Sequence, residues 1–191
     1  MVSVRQHRTF TLDEYLRIER DSVGQRSEFL DGHIWAMVGG SLTHSKIITN
    51  LVGVLFVLLR GKPCQAYNGD LRLLIKERNM VTYPDAMVIC GPPECHRDGP
   101  RDTVLNPSVV FEVLSPSTGS FDRGDKLDAY RTIPTVKHVV LVSQEPCQVE
   151  LHTRAGPDAW TSTVLRGAET MLELPAVDVR FVLNDLYQQL P

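Results

Sequence analysis

Residues 108–118 read SVVFEVLSPST, a run of β-forming apolar residues with a carboxylate in its middle. A run of this kind is a buried strand, and a buried strand constrains everything packed around it. Side chains alternate along a strand, so Glu112 shares one face with Val110 and Leu114, while Phe111 and Val113 occupy the other. An ionised carboxylate buried without a partner costs several kcal/mol, so Glu112 requires a cation, a paired base or a network of donors.

A second carboxylate poses the same question. In YPDAMVIC, Asp85 follows Pro84 at the start of a short apolar strand, 85–90. Pro84 has no N–H to give to a ladder, which places Asp85 where strand pairing begins, near a sheet edge. Two carboxylates on neighbouring strands suit a divalent cation such as Mg²⁺, which takes a few protein oxygens and completes its shell with water and substrate phosphate. A lysine close by would orient a water and neutralise developing charge. Lys126 is the candidate: Asp122, Lys126 and Tyr130 recur at i, i+4 and i+8 on a predicted helix over 120–131. The Ser115-Pro116-Ser117 bend turns the chain so that this helix packs beside the strand of Glu112. The alternative is an ordinary surface pair between Asp122 and Lys126, worth a few tenths of a kcal/mol.

The rest of the chain supplies the scaffold. Thr11, with Glu14 three residues on, predicts a capped helix over 11–20. Asp31-Gly32 predicts a type I′ turn in a hairpin over 26–38. Ser41 caps a largely apolar helix that runs to about residue 60 and stops at Gly61. Strands are expected over 64–67 and 70–76, joined at Asn68-Gly69, and over 137–143, 148–153 and 160–166. A final helical turn is expected over 184–189, and 91–107 reads as a loop. With 191 residues, 42% of them apolar, the chain forms one α+β domain with a mixed sheet.

Charge and cysteine content narrow the setting. The net charge is −3, whereas a purely electrostatic nucleic-acid binder is basic, so any such contact is local or metal-assisted. The apolar run 51–59 is too short to span a bilayer, and the first ten residues contain no apolar signal segment. A cytoplasmic protein with reduced thiols is therefore expected. The segment CGPPECH offers Cys90, Cys95 and His96 to zinc, but the spacing is not that of a standard zinc knuckle and reads as a loop with ordinary thiols.

Taken together, YPDAMVIC, PSVVFEVLSPST and DRGDKLDAY resemble the core of the Uma-two family of restriction endonucleases, a branch of the PD-(D/E)XK nuclease superfamily. The resemblance extends to SEFLDGHIWAMVGGSLTHSKI near one end and LPAVDVRFVLNDLY near the other. It implies a restriction-endonuclease-like α+β fold: a mixed β-sheet flanked by helices, with an N-terminal hairpin and additional C-terminal strands. By position it implies Asp85 and Glu112 as metal ligands, with the Val113 carbonyl as a further one. The superfamily's usual lysine falls at Leu114, which has no amine, and the resemblance assigns its task to Lys126. Glu28 matches an additional N-terminal carboxylate, and His44 matches a position beside the site. The segment IPTVKHVVLVSQ departs from the family pattern, which affects packing and partners more than the metal site.

Each of these residues has a plainer role available. Glu28 can pair with Arg26 or Lys46, His44 can cap a helix or fill the core, and Tyr130 can simply pack. Asp31 and Asp70 read as turn residues, and Trp35 and Trp160 as core or dimer-contact aromatics. The expected activity is Mg²⁺- or Mn²⁺-dependent hydrolysis of DNA phosphodiester bonds by in-line displacement, by a homodimer suited to cutting two strands and with no membrane partner. The rivals are a catalytically inactive nucleic-acid-binding protein of the same fold and an interaction module in which Glu112 and Lys126 form a buried ion pair.

Overall fold

The computed structural model describes residues 9–37, 39–96 and 100–191. Helix α1 (Leu12–Asp21) starts in the expected capping box: the Thr11 hydroxyl accepts from the Glu14 N–H at 3.2 Å, and the Glu14 carboxylate accepts from the Thr11 N–H at 2.9 Å. The hairpin β1 (Ser27–Leu30) and β2 (His33–Ala36) turns at Asp31 and Gly32, both left-handed with φ of 44° and 87°. The expected end of this hairpin, Val38, lies outside the described residues. Ser41 caps α2 (Leu42–Leu58), accepting from the His44 N–H at 3.1 Å.

Next come β3 (Cys64–Asn68), β4 (Arg72–Ile75), β5 (Met80–Thr82), β6 (Ala86–Cys90), β7 (Thr103–Val104) and β8 (Val109–Val113). The helical stretch that follows is composite. It comprises one turn of α3 (Gly119–Phe121), a widened π-type segment (Asp122–Lys126), and α4 (Leu127–Thr132). Strands β9 (His138–Val142), β10 (Gln148–Arg154), β11 (Trp160–Arg166), β12 (Met171–Leu174) and β13 (Val179–Val182) complete the chain, with a short turn at Leu183–Asp185.

The strands form a six-stranded sheet in the order β11-β10-β9-β8-β6-β3, a five-stranded sheet in the order β2-β1-β5-β4-β7, and the β12-β13 pair. In the six-stranded sheet β8 runs parallel to β9 and antiparallel to β6. The strands flanking Asn68-Gly69 do not pair with each other: β3 joins β6, while β4 crosses to the second sheet. Strands β5 and β7 escape a reading based on alternation because they have only three and two residues. The second of them falls inside the expected loop.

The two faces of β8 carry different chemistry. Phe111 and Val113 face α2, whose Ile47, Leu51 and Leu55 are fully buried against that side of the sheet. Val110 and Leu114 pack instead with Leu127, Tyr130, Val139 and Leu141. Each of these large side chains contributes on the order of 1.5–3 kcal/mol on burial. A third cluster of Tyr15, Leu16, Phe29, Leu74 and Val81 ties α1 to the five-stranded sheet. Among the described residues no helix is long and apolar enough to cross a membrane.

The cysteine expectation is corrected. Cys64 and Cys90 face each other across β3 and β6, with Cα atoms 3.9 Å apart, and form a disulfide. Strand register brings them together from 26 residues apart, which no local spacing could reveal. Cys95 and Cys147 are free. With Cys90 bonded to Cys64, the CGPPECH segment has no three-ligand set for zinc.

Candidate active site

Burial of Glu112 is resolved by what the helix brings over it. Lys126, at the end of the widened segment, places its ammonium 2.9 Å from Glu28 Oε1, 3.3 Å from Glu112 Oε1 and 3.4 Å from Asp122 Oδ1. One turn on, the Tyr130 hydroxyl donates to Glu112 Oε1. Glu28 is fixed from the other sheet, accepting from the Thr82 hydroxyl and, at 3.4 Å, from the Tyr83 N–H. The ammonium side chain is 8% exposed, and those of Glu28, Glu112 and Asp122 are 14%, 5% and 3% exposed.

Asp85 reaches the same place from β6. It lies one residue beyond the Ala86–Phe111 pair, opposite Glu112, and its Oδ2 accepts from the Val113 N–H at 2.7 Å. His44, in the first turn of α2, sets Nε2 3.5 Å from the same oxygen. The cluster thus draws on both sheets, the start of α2 and the composite helix.

The charges are unequal: Glu28, Asp85, Glu112 and Asp122 stand against Lys126 and the His44 imidazole. Burial is the main force pushing the Glu112 carboxyl up to about 8; Lys126 opposes it, and Asp85 and Asp122 add to it. Burial also raises Asp122, again against the pull of Lys126. For Lys126 burial acts to lower the value, but Glu112, Glu28 and Asp122 together outweigh it and hold the ammonium above its ordinary range. The ammonium therefore stays charged while Glu112 resists ionising, chiefly because it is buried and then because it also faces Asp85 and Asp122. His44 is raised, first by its bond to Asp85, against an opposing effect of burial.

Oxygen donors of this kind fit a hard divalent cation. Among the described residues no group of three or more His, Cys, Asp or Glu side chains converges as a metal-holding set. Asp85, Glu112 and the Val113 carbonyl instead offer a small oxygen set of the sort Mg²⁺ uses with water. The surplus of negative charge around Glu112 is what such a cation would neutralise.

Comparison with known proteins gives the family and the fold. The profile of Uma2, described as "Putative restriction endonuclease", matches residues 12–184. The chain belongs to the Uma2 family. Two uncharacterised Synechocystis sp. proteins resemble it: sll1609 is 34% identical over 91% of this chain and 97% of its own length, and slr1290 is 32% identical over 93% and 91%. A crystal structure described as a "putative nuclease belonging to DUF820", from Anabaena variabilis, superposes with a TM-score of 0.77. It is 19% identical and covers 95% of this chain and 99% of its own. That likeness shows a shared fold.

In this Uma2 protein the residues singled out in the sequence, Glu28, His44, Asp85, Glu112, Val113, Lys126 and Tyr130, lie in one cluster. Glu28 pairs with neither Arg26 nor Lys46; Arg26 pairs with Asp70 instead. Asp122 was open to reading as a surface partner, but it is 2% exposed and supplies a third carboxylate to Lys126. Its i, i+4 spacing was visible, whereas its burial was not. Thr82, which holds Glu28, gave no signal at all.

Proposed function

We propose that this Uma2 protein is a divalent-metal-dependent endonuclease that hydrolyses phosphodiester bonds of DNA. The observation that carries the reading is the Lys126 ammonium, held against Glu28, Glu112 and Asp122, beside the Asp85 carboxylate on the neighbouring strand. Asp85, Glu112 and the Val113 carbonyl would hold Mg²⁺ or Mn²⁺, which when bound stabilises charge on the phosphate and acidifies water. Lys126 orients the attacking water and offsets the charge that builds on the phosphate. Glu28, tied down by Thr82, fixes the ammonium, and Tyr130 fixes Glu112. His44 holds Asp85 in place. No side chain here is needed as a covalent nucleophile.

The deep burial of Lys126 favours one competing reading, an ion cluster that only stabilises the fold. A plasmid-nicking assay with and without Mg²⁺, run beside thermal melts, separates the two. Glu112→Ala and Lys126→Ala are expected to abolish nicking while the fold is kept. Cleavage by Lys126→Ala at the wild-type rate would remove its assigned role, and unfolding of that variant would favour the structural reading. DNA binding that ignores Mg²⁺, with no nicking, would point to an inactive binder of the same fold.

A further inference from the structure

Strand β11 forms one edge of the six-stranded sheet: it pairs with β10, and among the described residues no strand lies on its other side. At seven residues it is longer than the other edge strands of the two larger sheets, β3 with five, β2 with four and β7 with two. Edge strands are commonly protected by charge, by proline or by being short. From Trp160 to Leu165 this one has no charge and no proline, and residues 161–164 are exposed, Val164 to 42%.

The register shows which backbone groups are left over. Antiparallel strands exchange both bonds at every second residue pair. Just beyond the two ends of β10 and β11, in the same register, the Ala155 N–H donates to the Ala159 carbonyl at 2.8 Å and the Gly167 N–H to the Cys147 carbonyl at 3.1 Å. The positions of β11 bonded to β10 are therefore 161, 163 and 165, and Trp160, Ser162 and Val164 turn their N–H and C=O groups outward. The side chains of these three share one face, where the Arg154 and Arg131 guanidiniums lie 4.5 and 5.8 Å from the Trp160 ring centre.

The sequence of this edge is complementary to itself. Residues 158–166 read DAWTSTVLR. Against a reversed copy centred on Ser162, Trp160 stands opposite the partner's Val164, an aromatic ring beside a β-branched side chain, and Thr161 stands opposite the partner's Thr163. Arg166 falls level with the partner's Asp158, a charge of opposite sign. In this register the outward groups of Trp160, Ser162 and Val164 meet one another and close about six backbone hydrogen bonds. Centring the pair on Thr163 would instead bring Arg166 to the Trp160 ring, which already carries two guanidiniums, and leave Asp158 unmatched.

We propose that β11 is a homodimer contact, in which the edge strands of two copies pair antiparallel about a twofold axis at Ser162 and join two six-stranded sheets into one. Such a pair covers both edges and so closes at two copies. The contact is small, so association in the micromolar range is expected. This inference is independent of the nuclease reading, since none of its residues belongs to the Lys126 cluster.

Sedimentation equilibrium of the full chain over a concentration series tests it. Wild type is expected to pass from monomer to dimer below about 0.5 mM. Val164→Pro, which removes an outward N–H and leaves the bonds to β10 intact, is expected to weaken the dimer at least about tenfold. Val164→Lys, which brings an ammonium to the ring flanked by Arg131 and Arg154, is expected to do the same and serves if the proline variant fails to fold. Asp158→Arg and Arg166→Asp are each expected to weaken the dimer about fivefold, since the charge pair occurs twice, and the double reversal to return to within about twofold of wild type. A wild type that stays monomeric, a folded Val164→Pro or Val164→Lys variant that dimerises as wild type does, or a double reversal no tighter than the single ones would each overturn the proposal.

Discussion

Two buried charge clusters lie back to back in this molecule, and they are built on opposite principles. In the first, Arg72 pairs with Asp102, donates to the Thr103 hydroxyl at 3.2 Å, and reaches the Tyr83 hydroxyl at 3.4 Å. Tyr83 in turn donates to Glu19 at 2.8 Å, Glu19 accepts from the Ser27 N–H at 3.0 Å, and Arg20 pairs with Asp102 at 3.1 Å. Two arginines face two acids, and the donors and acceptors are matched. The second cluster sets four acids against Lys126 and His44. The two share a seam: Ser27 and Tyr83 serve the first, while their neighbours Glu28 and Thr82 serve the second. A balanced cluster stabilises and is complete as it stands. An unbalanced one keeps a surplus of negative charge that a cation or a proton must meet, which is a condition for chemistry and a liability for stability.

Removing the cation from each cluster tests that contrast most strongly. Lys126→Met is expected to cut nicking by at least about 100-fold, as loss of one transition-state charge donor does. Its stability loss should appear near pH 8 and shrink at pH 6, where Glu112 can take up a proton. Arg72→Met is expected to cost about 3 kcal/mol by denaturant unfolding, the low end for a broken buried pair because Asp102 keeps Arg20. That loss should not respond to Mg²⁺ or to pH between 6 and 8. If both variants behaved alike, the distinction between the clusters would collapse.

A smaller effect sharpens the comparison in the wild type. The folded protein holds the Glu112 proton more tightly than the unfolded chain does, since its value rises from 4.5 to about 8. Its contribution to stability is therefore intact below about pH 4.5 and is lost as the pH rises through about 8. His44 and Asp122 are raised as well and act in the same direction. Melting temperature should thus decline from pH 5 to pH 8 without metal, and Mg²⁺ should restore more of it at pH 8 than at pH 5. Asp102 is lowered, with its bonds to Arg20 and Thr103 and the arginine charges outweighing burial, so its contribution is present above its ordinary value of 3.8 and is lost only as acid is added below that. The least effect expected is from Thr11→Ala, about 1 kcal/mol from the lost α1 cap, measured by the same unfolding curves and without change in nicking.

Much of the unbalanced cluster was legible in the sequence, because its residues violate local rules. A carboxylate in VVFEVL and another behind a proline both contradict the apolar pattern around them. Lys126 and Tyr130 stood at helical spacing, and Thr11, Glu14, Asp31 and Gly32 carry their structures in their chemistry. The balanced cluster obeys local rules and left no trace. Arg72, Asp102 and Glu19 look like ordinary surface residues until β4, β7 and α1 are assembled. The disulfide, the crossing from one sheet to the other after Asn68, and the bond from Thr82 to Glu28 likewise depend on pairings between segments that no window of sequence contains.

The widened segment from Asp122 to Lys126 has a further consequence. It accommodates an additional residue, and ordinary helical winding would resume if one were taken out there. Gly124 is the natural candidate, since a Cβ placed on it would meet nothing within 4 Å. Its deletion would shorten the step from Asp122 to the lysine from four residues to three, a spacing that also keeps two side chains on one helical face. The shortened stretch is therefore expected to keep Asp122 on the side of the ammonium, so that its two charged ends matter more than the number of residues between them.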